Sequence, residues 1–120
     1  MTLKSLFKQP QYSLLNKEKN KLLLPLLIKR IEGGIKKNRF IRTWFNKINF
    51  NSDIIYNIED IPFLPAQMFK YFDLGFIESN NVARVLKSSG TTENLPSKVP
   101  LDKITIRNQT NALMSTLKPY

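Results

Sequence analysis

The chain has 120 residues, room for one domain with one modest core, and its 42% hydrophobic and 11% aromatic content is ordinary for a globular protein. Nineteen Lys and Arg against nine Asp and Glu give a formal charge of +10 and a pI near 10.0, but the basic residues are spread out rather than massed. With neither Cys nor His, the sequence excludes a disulfide framework, a thiolate metal site and any Ser–His or Cys–His nucleophile pair, and it nearly excludes zinc.

No targeting segment stands out. The longest apolar run, Leu22 to Ile28, contains Pro25 and is far below the ~20 residues that span a bilayer. The expected location is cytoplasmic. No internal repeat is visible, and the stretch 49–58 is polar and rich in Asn.

The region 1–49 reads as helical. Asn16 is the expected N-cap of a helix that starts at Lys17 and carries Leu22, Leu23, Leu26, Leu27 and Ile31 on one side. Pro25 predicts a kink or a fresh start, and Gly33-Gly34 predicts the helix end through a left-handed residue. A second helix is expected from Ile35 to Lys47, with Ile41, Trp44, Phe45 and Ile48 at i, i+3, i+4 and i+7. A glycine turn between the two predicts an antiparallel pair, and the spacing of Phe40, Trp44 and Phe45 predicts packing rather than a ligand platform.

Next comes a proline-bounded strap, Ile61-Pro62-Phe63-Leu64-Pro65, with a short helix from Pro65 to Tyr71. Phe63, Leu64, Met68, Phe69 and Phe72 are expected to pack under it. Leu74 to Glu78 and Val82 to Lys87 then alternate as strands do, and Ser79-Asn80-Asn81 between them predicts a hairpin. Val99 to Leu101 reads as short and extended. Asp102 is the expected N-cap of a last helix from Lys103 to about Leu117, whose apolar side is Ile106, Leu113 and Leu117.

Ser88 to Lys98 is the one segment whose composition calls for chemistry. Ser88-Ser89-Gly90-Thr91-Thr92 places four hydroxyls around one Gly directly after a predicted strand, and Lys98 follows. Small hydroxyl residues and Gly let main-chain N–H groups approach a polyphosphate, and a Lys supplies mobile positive charge. A solvated linker would have much the same composition. Neither GxxxxGK[ST] nor GxGxxG is present, so a P-loop NTPase and a dinucleotide fold find no support.

The hydroxyl tract, with Pro96 and Lys98 after it, resembles the phosphate-binding loop of the adenylate-forming superfamily. The flanks narrow this. Ile61 to Pro65, Phe69-Lys70, Pro96-Ser97-Lys98-Val99-Pro100-Leu101-Asp102 and Gln109 resemble the LuxE-type acyl-protein synthetases. The sequence departs from the superfamily pattern in two ways: Glu93 stands where Gly is usual, and a longer insert, Glu93 to Ser97, displaces Lys98.

The resemblance implies an α/β fold: a helical pair plus a small β element, an incomplete portion of an adenylate-forming enzyme's large domain. Residues 1–120 would be one partial domain, with a helical region 1–49 and the strap, hairpin, loop and last helix in 58–120. It also implies a ligase that joins a fatty or related carboxylic acid to AMP before acyl transfer to a protein thiol, with ATP and Mg²⁺ as cofactors and an acyl reductase as partner, as in bioluminescence. Ser88, Ser89, Gly90, Thr91, Thr92 and Lys98 would bind the phosphates. No residue is assigned to catalysis or to metal binding. The acyl-accepting Cys, the adenine and ribose contacts and a mobile C-terminal domain would lie beyond Tyr120, so the chain alone, read as an N-terminal fragment, is expected to exchange no pyrophosphate into ATP. Two alternatives stay open: a fragment of an acid–CoA ligase, and a basic nucleic-acid-binding module using Lys36, Lys37, Arg39 and Arg42. No groove-reading motif accompanies that charge.

Overall fold

The computed structural model describes residues 3–89 and 95–118. The elements are α1 (Leu3–Leu6), α2 (Asn16–Lys37), α3 (Arg39–Lys47), α4 (Met68–Tyr71), β1 (Arg84–Lys87), β2 (Lys98–Leu101) and α5 (Lys103–Thr116). Three 3-10 turns, Ser52–Ile54, Ile58–Asp60 and Ser79–Asn81, punctuate the connections. Helices thus dominate, and the described residues carry one two-stranded antiparallel sheet, the mixed α/β character expected. None of the described helices is long and apolar enough to cross a membrane.

The helical region departs from expectation at its joint. α2 runs unbroken for 22 residues through Pro25 and through Gly33-Gly34. It starts one residue early, and Glu18, rather than an Asn16 side chain, reaches back to accept the Leu15 N–H at 2.9 Å. The Gly pair does not end it. Gly34 is buried, and a Cβ there would stand 3.3 Å from Ile41 Cδ1 and Cγ2, so glycine at this position admits α3 rather than a turn.

The chain turns instead at Asn38, in extended conformation (φ −123°, ψ 123°). Its Oδ1 accepts the Phe40 and Ile41 N–H groups at 2.9 and 3.1 Å, which caps α3. The Arg42 guanidinium donates to the Ile35 and Lys36 carbonyls at 2.9 and 3.0 Å, and so serves the orphan acceptors at the end of α2. The left-handed closure expected at Gly33-Gly34 occurs at Asn49 (φ 52°). There the Phe50 N–H reaches the Phe45 carbonyl at 3.0 Å and the Asn49 N–H reaches that of Asn46 at 3.1 Å. Phe45 and Phe50 meet edge to face across this closure, which completes a Schellman motif.

The core is small. Ile41, Phe45 and Leu74 are its buried centre, with Ile31, Ile35, Trp44, Leu64, Met68 and Phe76 among those packed around it. The aromatic residues of α3 pack, as their spacing predicts; Phe40 lies 4.9 Å from Phe72. The strap is only half as expected, since Leu64 faces the core while Phe63 is 79% exposed.

The hairpin is also different. Leu74–Glu78 is not a strand. Asn38 Nδ2 donates to the Asp73 and Gly75 carbonyls at 2.9 and 2.8 Å, and Asp73 Oδ1 accepts the Gly75 N–H at 3.0 Å. These bonds engage both backbone groups of Gly75 and tie the start of the segment to the α2–α3 joint. β1 pairs with β2 instead, in the register Arg84↔Leu101, Val85↔Pro100, Leu86↔Val99, Lys87↔Lys98.

Candidate functional site

The strand exchange relocates the hydroxyl tract. It does not trail behind a finished hairpin; it forms part of the connection between β1 and β2, residues 88–97. The base of this connection is closed by two hydrogen bonds. The Ser88 N–H donates to the Ser97 carbonyl at 3.1 Å, and the Ser97 N–H donates to Ser88 Oγ at 2.8 Å. Ser88 is therefore a clasp, with its amide and hydroxyl both committed. Ser89 is exposed. Gly90, Thr91 and Thr92 lie outside the described residues.

Lys98 is exposed and heads β2. Its cross-strand partner is Lys87, also exposed. Side chains directly opposite in an antiparallel pair share a face, and like charges there repel. Two lysines facing each other at the neck of a hydroxyl-rich connection therefore make a local excess of positive charge that an anion would relieve. Sequence reasoning singled out Lys98 as a candidate and passed over Lys87. The signal was there, a Lys immediately before the tract, but its significance depends on the β1–β2 register, which the expected 74–78/82–87 pairing hid.

A groove of about 560 Å³ opens beside this neck. Lys98, Lys70, Leu95, Pro96 and Val85 line it, with Phe69, Phe72 and Pro100. Gly75 keeps it shaped, because a Cβ there would meet Pro100 Cγ at 2.7 Å. The site thus joins an apolar trough to a polar rim on which Lys70 and Lys98 stand with Asp73, whose Oδ1 is engaged by the Gly75 N–H. Among the described residues no cluster of three or more acidic side chains could hold a metal ion.

On the other basic face, Lys37 lines a separate hollow of about 510 Å³ with Arg30 and Lys103, where Glu78 and Asp102 also stand. Arg42 is spent on helix carbonyls, and the Arg39 guanidinium lies 5.0 Å from the centre of the Phe40 ring. Asp102 at the start of α5 is likewise structural. Its Oδ1 accepts the Thr105 N–H at 2.6 Å, as expected of the cap. Hydrogen bonding from the Thr105 side chain, then from its backbone N–H, holds the Asp102 carboxyl below the usual carboxylate range, with a smaller pull from Arg30 and an opposing effect of burial.

Comparison with known proteins gives one finding. A family model described as acyl-protein synthetase, LuxE, matches residues 4–119. No curated protein and no solved structure matches the chain.

Proposed function

Because the chain belongs to the acyl-protein synthetase family of the LuxE type, we propose that it contributes the phosphate-gripping part of an enzyme that activates a fatty or related acid with ATP. The acid's carboxylate oxygen attacks the α-phosphorus of ATP. The bond to the bridging oxygen of the β-phosphate breaks, and pyrophosphate leaves with the electron pair. The resulting acyl adenylate gives its acyl group to a protein thiol and releases AMP. That thiol is not among these 120 residues, which include no Cys.

The observation that carries this reading is the neck of the hairpin. Ser88 pins the connection at its base, and Lys87 and Lys98 face each other where it begins and ends. Charge moving onto the leaving pyrophosphate would meet these cations together with N–H and hydroxyl donors of Ser89, Gly90, Thr91 and Thr92. Mg²⁺ carried on the phosphates would neutralise part of the same charge, with few ligands required from the protein. The apolar groove beside Lys98 suits the hydrocarbon body of the acid.

Titration with a fluorescent ATP analogue and Mg²⁺ tests the proposal. Removing both Thr91 and Thr92 side chains to Ala, or changing Lys87 and Lys98 to Gln, is expected to weaken binding at least about 10-fold, since each change deletes bonds to charged oxygens. AMP competing as well as ATP, or variants that bind as the unsubstituted chain does, would remove the β- and γ-phosphates from the loop.

A further inference from the structure

The far end of α5 has a feature that nucleotide chemistry leaves unused. The first 17 residues and residues 103–120 contain six Lys and Arg and no Asp or Glu. The fold brings these two acid-free stretches together. Gln11 Nε2 donates to the Ser115 carbonyl at 3.1 Å, and Lys4, Lys8 and Lys118 share an open hollow of about 330 Å³ with Phe7 and Met114.

α5 is also turned the unexpected way. The side it sets against the molecule is mostly polar or small, with Thr105, Asn108, Ala112 and Ser115 half-buried and Ile106 the one large aliphatic residue among them. The side it leaves outward carries Leu113, Met114 and Leu117, which are 60%, 57% and 69% exposed. A helix that faces its apolar side outward needs a cover.

We propose that this pole rests on an anionic lipid surface. Lysines interleaved with exposed aliphatic side chains, without an acid, match a negatively charged interface that accepts both cations and apolar area. A second copy would bring the same cations against one another. The exposed apolar side chains of α5, Ile104, Leu113, Met114 and Leu117, are all aliphatic, without the aromatic anchor on which a protein interface commonly centres. A convex apolar helix face fits a laterally adaptable bilayer. Contact is peripheral, since none of the described helices is long and apolar enough to span. The surface is independent of the hairpin site, so either can fail alone.

Co-sedimentation of the full chain with vesicles of phosphatidylcholine, with and without a third of phosphatidylglycerol, decides the matter. Binding is expected only to the anionic vesicles and should fall with salt. Changing Lys4, Lys8 and Lys118 together to Gln should lower partitioning on the order of 100-fold. Changing Leu113, Met114 and Leu117 together to Ser should lower it at least about 10-fold. These side chains lie outside the buried core, so circular dichroism should be unchanged in both variants. Equal binding to neutral vesicles, or either variant partitioning as the unsubstituted chain does, would overturn the proposal. So would absent vesicle binding combined with binding to polyglutamate that both variants lose, which would hand the face to an acidic protein.

Discussion

Asn38 holds more of this fold than any other polar residue. It is buried, and its side chain makes four hydrogen bonds, two that cap α3 and two that fix the segment 73–75 against it. Asn38→Ala should cost about 3 kcal/mol, the sum of a lost cap and two carbonyls left without a donor. Asn38→Ser keeps a capping oxygen but donates to neither carbonyl, and should recover only about 1 kcal/mol of that loss in urea unfolding. A Ser variant as stable as the unsubstituted chain would mean that the amide's donated bonds contribute nothing. Asp102 makes a second residue-scale test. Its carboxyl titrates below the ordinary value of 3.8, so its charge stabilises the folded state above the unfolded value, and this is lost as pH falls through the folded one. The stability gap between the chain and Asp102→Asn should be constant above about pH 5 and narrow below it. A gap that persists into acid would show that the charge is immaterial to the cap.

At the scale of elements, helix α2 shows what local signals can and cannot decide. Its apolar stripe was legible only in part, since Leu22, Leu23 and Ile31 are half-buried while Leu26 and Leu27 are exposed; the α3 stripe, the Asp102 cap and the extent of α5 were legible. The Gly33-Gly34 signal pointed to a helix end, because glycine most often serves as a left-handed closure. What overrides it is tertiary: Ile41 and Phe76 come so close that Gly34 is needed inside a continuing helix, and the true punctuation is a capping Asn and a left-handed Asn49. A Cβ added at Gly33 would meet nothing within 4 Å, so this position is free to gain helix propensity. Gly33→Ala should therefore raise stability by about 0.5–1 kcal/mol, read from the thermal midpoint. Were Gly33 a helix terminator, the same change would destabilise. The hairpin error has a similar origin. Residues 74–78 have the alternation of a strand, but Asn38, 35 and 37 positions away from the Asp73 and Gly75 carbonyls it binds, ties the start of that segment to the helical joint. No local pattern contains that information. The hydroxyl tract was singled out as a candidate from composition alone; Lys87 joins it only through the register.

At the scale of the whole molecule, the chain is loosely gathered. Its radius of gyration is 16.3 Å, against about 13.6 Å for a compact domain of this length. Its accessible surface is 9678 Å², against about 6,700 Å² for a folded monomer of this mass. Exposed side chains such as Phe63, Leu113 and Leu117 account for part of that excess. The surplus fits a body that completes its packing against something else, while the small core around Ile41, Phe45 and Leu74 suffices to hold the hairpin and its groove in place.

The proposed function rests on residues 88–98 meeting a polyphosphate, and amide-resolved NMR during titration with Mg²⁺ and ATP measures this directly. The expected result is saturable shifts concentrated in the amides of Ser89 to Thr92 and in Lys87 and Lys98, with AMP producing far smaller ones. Shifts absent at millimolar ATP, or centred on the basic face of α3 instead, would contradict it.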